Sequence, residues 1–289
     1  MPIQVKVPGP VTGTKGLAIR MIDCHIHLLP GVDDGAHDLE MALKMARIAV
    51  DSGVTAVVCT PHHLNGVYKN PAGLIRRAVA GLTEGLVEAG IPLGLYVGSE
   101  LHLVPELPEA VEQAAALTYN DQRKAALVEL PTATIPLGAE IVLERLLYQG
   151  VMPLIAHPER NAVLAHNPEM LGDWVMLGCK VQLTAQSCSG DFGGMMQGVC
   201  RRWLERGWVH LIASDAHRPT GRSPDKLAKG RDVVAAWLGD AAAEILTLTN
   251  PQRLLDGEPL LDLPREGLAV ALPARTRWTR WTRFLGRLR

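Results

Sequence analysis

Short runs of β-branched and apolar residues alternate with longer amphipathic stretches along most of this chain. The runs predict strands near 19–24, 54–60, 94–99, 125–130, 151–156, 179–184 and 209–214. Apolar positions spaced for one helical face predict helices near 38–52, 71–90, 106–116, 137–149, 167–177, 193–207 and 224–239. Strands alternating with helices imply parallel βαβ units with right-handed crossovers. An open doubly wound sheet would gather its chemistry at one switch point. A barrel spreads it over the loops at the C-terminal ends of its strands. Ionisable residues follow almost every strand here, so the pattern favours the barrel.

Composition narrows the class. A chain of 289 residues suits one barrel domain, and 47% hydrophobic residues suffice for a large core. The net charge of -1 gives no electrostatic basis for nucleic-acid binding. Five scattered cysteines without a C-x-x-C pair argue against a disulfide framework and a zinc knuckle, and suit a reducing cytoplasm. Residues 1–20 hold no apolar run long enough for a signal sequence, and nothing approaches the roughly 20 apolar residues of a membrane span.

The first strand runs into Asp23-Cys24-His25-Ile26-His27. Side chains two apart on an extended segment share a face, so His25 and His27 can grip one ion. Alone, an H-x-H pair is weak, because ten histidines will sometimes place two together on a surface. The same event recurs, however. The second strand stops at Pro61-His62-His63, the third at Glu100, the fourth at Glu129, the fifth at His157 and the seventh at Asp215-Ala216-His217. One such residue reads as a cap or a satisfied core group. Six strand ends of seven do not, since burying so many ionisable groups is costly without compensating cations. Mixed imidazole and carboxylate donors suit manganese, iron or zinc better than calcium. The loop Gly31-Val32-Asp33-Asp34-Gly35 reads as a turn into a helix N-capped by Asp38, and one of its two aspartates can also face the ions.

These stretches resemble the PHP (polymerase and histidinol phosphatase) superfamily. Within it they are most similar to the manganese-dependent bacterial protein-tyrosine phosphatases of capsule and exopolysaccharide loci. The similarity is carried by Met21–His27, Val32–Gly35, Thr60-Pro61-His62, Gly98–Leu101, Val128-Glu129-Leu130, Ala156–Arg160 and Ser214–His217, in order over about 21–260. It implies a distorted (β/α)7 TIM-like barrel spanning 21–265, flanked by an extension (1–20) and a tail (266–289). It further implies a three-metal cluster, of manganese with iron or zinc as alternatives, held by His25, His27, Asp34, His62, Glu100, Glu129, His157, Asp215 and His217. Asp215 also joins Arg160 and Arg222 in the implied catalytic set, the arginines gripping phosphate. An ordinary ion pair, such as Arg160 with Glu159, is the plain alternative. The implied substrate is a phosphotyrosine protein, a bacterial tyrosine kinase. A PHP phosphatase for a small metabolite such as histidinol phosphate, and an inactive metal-bearing scaffold, are the competing readings.

Other features weigh less. Cys200 and Arg206 match the C-x5-R spacing of cysteine-dependent phosphatases, but they fall late in a helical pattern with Trp203 where a phosphate loop needs glycines. His37, His102, His166 and His210 read as surface or satisfied core residues, with His102, two residues beyond Glu100, a candidate support for the ligands, and the role of His63 is open. Gly193-Gly194-Met195-Met196 reads as a helix start with core methionines. The tail from Arg275 to Arg289 carries six arginines and no acid, and on a helix Trp278, Trp281, Leu285 and Leu288 share a face. This reads either as a membrane-surface or partner-docking segment, at the inner membrane face, or as a solvated terminus. Relatives of this type begin at the M-I-D motif, so a chain starting at Met21 is expected to fold and keep its metal. Elemental analysis and circular dichroism check this; loss of either in the truncated protein rejects it.

Overall fold

The computed structural model describes residues 19–263. The expectations for the N-terminal extension and for the Arg/Trp tail fall on residues outside these. The strands are β1 (Met21–Ile26), β2 (Val54–Cys59), β3 (His62–His63), β4 (Gly94–Val97), β5 (Glu100–His102), β6 (Ala125–Glu129), β7 (Met152–Ala156), β8 (Lys180–Thr184) and β9 (Leu211–Ala213). The helices are α1 (Leu39–Asp51), α2 (Ala72–Glu88), α3 (Leu107–Glu112), α4 (Ala139–Tyr148), α5 (Ala162–His166), α6 (Pro168–Leu177), α7 (Ala185–Ser189), α8 (Gly194–Glu205), α9 (Lys226–Leu238), α10 (Asp240–Glu244) and α11 (Asn250–Asp256).

Every strand pairing is parallel, in the orders β1-β2-β4 and β3-β5-β6-β7-β8-β9. The second and third expected strands form β2 and β4, and each is followed by a further short strand, β3 and β5. Pro61 has no N–H to extend the ladder of β2, and Gly98-Ser99 separates β4 from β5. The strand positions then follow one another in ring order. At the end of the ring, Asp215 N donates to His25 O at 2.8 Å and His27 N to Ala216 O at 2.9 Å, setting the segment after β9 against β1. Asp23 reinforces this join, its Oδ1 accepting from Ser214 N at 3.0 Å.

The alternation of a strand divides the core into two layers. Ile22, Cys24, Ala56, Val58, Leu127, Leu154, Ala156 and Leu211 form an inner layer with Tyr119, whose hydroxyl donates to Cys24 O at 3.1 Å. Val57, Cys59, Val128, Ile155, Val181, Leu183 and Ile212 belong to the outer layer, with the buried faces of the helices. Helix α1 shows how such a face arises. Asp38 caps it by accepting from Met41 N at 2.9 Å, and Ala42, Met45, Ala46 and Ala49 line its buried stripe.

Three expectations need correction. The helix expected over 106–116 ends at Glu112, because Ala114 takes a left-handed φ of 55°. Helices α5, α7, α10 and α11 were not anticipated; at 5 to 7 residues they are too short for an amphipathic window to register. Helix α8 does begin at Gly194, but Met195 is 87% exposed and only Met196 packs on the core.

His210 is fully buried. Its Nδ1 accepts from Val181 N at 3.3 Å, and its Nε2 lies 3.1 Å from Asp262 Oδ1 and 3.0 Å from Lys180 Nζ. Burial first, and then Lys180, push the imidazole down to about 4. The unfolded chain therefore takes up this proton at a higher pH than the folded one, so the stability it confers is present above about 6.5 and drains away as pH falls toward 4. Between about pH 7.5 and about pH 5, urea unfolding should show a loss of about 2 kcal/mol from this residue. His210→Gln should remove that part of the slope; a variant as acid-sensitive as the parent would contradict the assignment.

Candidate metal centre

The strand ends bring all nine expected ligands into one network. His25 Nε2 and His27 Nε2 are 3.2 Å apart, and Glu100 Oε2 lies 3.3 Å from each. The same oxygen is 3.0 Å from His62 Nδ1, while Glu100 Oε1 is 2.7 Å from His157 Nε2. Asp215 Oδ1 sits 3.4 Å from both Nε2 atoms of the H-x-H pair. Asp34 Oδ1 reaches His62 Nε2 at 3.5 Å and His217 Nε2 at 3.4 Å, and Glu129 Oε2 is 3.6 Å from His62 Nδ1. Three overlapping groups have donor atoms within 4.8 Å of one another: His27, Asp34, His62 and His217; His25, His27 and Glu100; His62, Glu100 and Glu129.

Local backbone features aim these side chains. The pairing of β1 with β2 shifts register between Asp23 and Ile26. Ile22 and Cys24 thus face the inner layer while His25 and His27, of the other parity, still turn into the site. His157, directly after β7, and Asp215, two residues after β9, take left-handed φ values of 29° and 51°. Such strain in non-glycine residues costs about 1–3 kcal/mol each and persists only where the surroundings enforce it. Gly35 is required for space, because a Cβ there would lie 2.2 Å from His27 O.

Several supporting residues had no role assigned from the sequence. Gln182 Oε1 lies 2.9 Å from His25 Nδ1, and Asp33 Oδ2 lies 2.7 Å from His27 Nδ1. Each acceptor holds a proton on Nδ1 and leaves Nε2 free toward the cluster. The two aspartates of the loop therefore divide the work, Asp34 facing the imidazoles and Asp33 orienting one of them. His63 is structural: its buried ring accepts from Asn70 N at 3.1 Å. His102 Nδ1 lies 3.4 Å from Glu129 Oε2, placed to support that carboxylate. A polar residue two before the H-x-H pair was a readable hint of Asp23. Nothing in a strand sequence marks Gln182.

The electrostatics suit bound cations. Burial alone would raise the Glu100 carboxyl, but His25 and His157 hold it well below its ordinary value. Asp215 behaves alike, with Arg160 and His25 overcoming its burial. His25 and His62 are pulled up against burial, chiefly by Glu100, and His27 by Asp33. His217 is pushed down by burial and by His27. Glu100 Oε2 and His62 Nδ1 face each other at 3.0 Å, yet both are buried without a hydrogen bond among the described residues. Lone pairs converging on one space without donors between them fit cations of the manganese, iron or zinc type.

Arg160 and Arg222 both bind Asp215 Oδ2, Arg160 through Nη1 at 2.6 Å. The partner considered for Arg160, Glu159, instead accepts from Thr184 N at 3.0 Å. Arg160 Nη2 and Arg222 Nε remain buried donors without an acceptor among the described residues. Exposure grades across the cluster. The His25, His27 and Glu100 side chains are inaccessible, whereas that of Asp34 is 46% exposed and that of Arg222 35%. Cys200 lies inside α8, buried, with its thiol pushed well up first by Cys188 and then by burial. No phosphate loop precedes it, so its spacing to Arg206 is coincidental.

Residues 21–256 match the family model for capsular polysaccharide synthesis, CpsB/CapC. This chain belongs to that family. The tyrosine-protein phosphatase YwqE of Bacillus subtilis is 38% identical over 203 residues, covering 70% of this chain and 80% of that one. The tyrosine-protein phosphatase CpsB of Streptococcus pneumoniae is 29% identical over 240 residues, covering 81% and 98%. Among solved structures, one from a study of YwqE and CpsB as unique metal-dependent tyrosine phosphatases superposes with a TM-score of 0.81 at 34% identity, covering 84% of this chain and 98% of that one. A β-aspartyl dipeptidase of Fervidobacterium islandicum shares the fold alone, with a TM-score of 0.52 at 15% identity over 83% and 74% of the two chains.

Gly35→Ala tests the loop that carries Asp33 and Asp34. The added Cβ meets backbone, so the loop must withdraw from His27. Metal affinity measured by chelator competition should fall about 10- to 100-fold while the protein stays folded. Unchanged affinity would show that the loop does not support the site.

Proposed function

We propose that this chain is a metal-dependent protein-tyrosine phosphatase with a three-ion manganese cluster. Its ligands are His25, His27, Asp34, His62, Glu100, Glu129, His157, Asp215 and His217, and its phosphate-binding groups are Arg160 and Arg222. Its class, a metal-dependent phosphoric monoester hydrolase, follows from its family. Two buried guanidinium donors without acceptors, at the rim of an imidazole and carboxylate cluster, carry the rest.

Bound divalent cations would neutralise phosphoryl oxygens and lower the pKa of a coordinated water toward neutrality. The remaining tasks fall to the chain. Arg160 and Arg222 present planar forks to the equatorial oxygens, and Asp215 fixes both forks before substrate arrives. Gln182 and Asp33 hold the rings of His25 and His27 in register. A phenolate leaves more readily than an alkoxide, so no general acid is assigned. The exposed edge at Asp34 and Arg222 suits a phosphotyrosine borne on a protein better than a metabolite enclosed on all sides. With the family's link to capsule synthesis, this supports a bacterial tyrosine kinase as the partner. Among the described residues no helix is long and apolar enough to cross a membrane, and all five cysteines are buried and unpaired, which supports a place in the cytoplasm.

Purified protein should contain transition metal and, with added manganese, cleave a phosphotyrosine peptide far faster than histidinol phosphate. Arg160→Ala should reduce kcat/KM on the peptide by roughly a hundredfold with metal content unchanged. His157→Ala combined with Asp215→Asn should lose both metal and turnover. Preference for histidinol phosphate, or full turnover in the double variant, would overturn the proposal.

A further inference from the structure

We propose that Phe192 and Tyr68 recognise the aromatic ring of the substrate, and so set the preference of this site for aryl over alkyl phosphates. The inference rests on the phosphatase reading above and deepens it. The whole chain has only two phenylalanines, and Phe192 is 37% exposed at the edge of the site rather than spent in the core. The guanidinium carbon of Arg160 lies 5.2 Å from the centroid of its ring. One side chain therefore separates Phe192 from Asp215 and the phosphate-binding donors.

Tyr68 occupies the other end of the same chain of contacts. Its half-buried ring stacks on His62 with centroids 5.9 Å apart and planes 10° apart. His62 in turn lies 4.6 Å from His27, whose Nε2 is 3.4 Å from Asp215. Running from Tyr68 through His62, His27, Asp215 and Arg160 to Phe192, the cluster has an aromatic side chain at either end.

Both aromatics sit on loops tied to segments that build the site. Beside Phe192, Asp191 pairs with Lys226 at 3.3 Å and with Lys229, just after the stretch carrying Arg222. Gln186, whose carbonyl accepts from Asp191 N at 3.0 Å, also donates its side chain to Gly221 O at 3.2 Å. Tyr68 N donates to Asn65 Oδ1 at 2.8 Å, and Asn70 Nδ2 donates to His62 O at 2.8 Å and to Val32 O at 3.0 Å. The loop of Tyr68 is thus tied to His62, and that of Phe192 to the segment around Arg222. A phenyl group attached to a phosphoryl oxygen finds offset or edge-on partners in such rings; an alkyl group finds none.

A simpler role for Phe192, steadying Arg160 through its π face, predicts a different result. Losing it would then weaken every phosphate ligand alike. Competitive inhibition of the full-length, manganese-loaded protein by phenylphosphonate and by methylphosphonate separates the two. The wild-type protein should bind phenylphosphonate more tightly. Phe192→Ala and Tyr68→Ala should each shrink the ratio of the two inhibition constants by roughly three- to tenfold, leaving methylphosphonate little changed. Tyr68→Phe should restore the ratio. KM for a phosphotyrosine peptide should rise in the alanine variants with kcat nearly constant. Variants that keep the wild-type ratio, or lose affinity for both inhibitors equally, overturn the ring assignment alone. Wild-type protein that binds neither phosphonate and cleaves no monoester overturns the phosphatase reading, and this inference with it.

Discussion

The carboxylate of Glu100 is wholly removed from water, and four imidazoles, those of His25, His27, His62 and His157, lie within 3.3 Å of it. An ionised carboxylate in that position is expensive unless close partners compensate it. The partners come from three other strand positions, so compensation is available only if those strands arrive together at one level. That demand accounts for the way the ring is built. A break after each of β2 and β4 lets β3 and β5 pair anew, His62 against Glu100, while β2 and β4 keep their own register below. The clamp between Asp23 and Ser214 then sets the His25-His27 segment beside Asp215. Fold and cluster are two views of one electrostatic constraint.

That constraint also explains what could be read from the sequence. A candidate ligand at a strand end announces itself, because a histidine or acid there interrupts an apolar run and the interruption repeats from strand to strand. His25, His27, His62, Glu100, Glu129, His157, Asp215 and His217 could be picked out in this way before any distance was known, whereas the choice of Asp34 in its loop rested on the family resemblance. Residues that act on the ligands leave no such mark. Gln182 is one polar position in a strand, and its meaning depends on a contact with a residue 157 positions away. Asp33 and Asp34 are indistinguishable as letters; only the path of the loop decides which meets His27 Nδ1 and which meets His62. The parity rule placed His25 and His27 on one face, correctly, but could not foresee the register shift that turns this face inward. The short helices after α9 were invisible for a different reason, since an alanine-rich stretch such as Asp240–Glu244 carries no amphipathic signal.

Backbone strain falls where the site needs it. His157 and Asp215 hold left-handed conformations disfavoured for residues with a Cβ. Each has a brace. Asn161 follows His157, capping α5 through Leu164 N at 3.0 Å and donating to Pro131 O at 2.6 Å, which binds this turn to the segment after Glu129. Asp215 N is held by His25 O at 2.8 Å. The strain is therefore carried by neighbours that are themselves part of the cluster, or of the strands leading to it, and relaxing either turn would require the ring to loosen.

Asp215 divides its two oxygens between opposite kinds of partner. Oδ1 faces His25 and His27, on the side where cations fit, and Oδ2 receives both arginines. In the proposed site one carboxylate would thus fix the spacing between the imidazoles that hold cations and the guanidiniums that hold phosphate. A guanidinium has five N–H donors in a rigid plane, so Arg160 can keep Nη1 on Asp215 while Nη2 turns to an incoming oxygen. A lysine bound to Asp215 would offer no second donor in a fixed direction. In the proposed mechanism the arginines would not have to release their carboxylate to take up a phosphoryl group, which would leave little reorganisation for the step that follows.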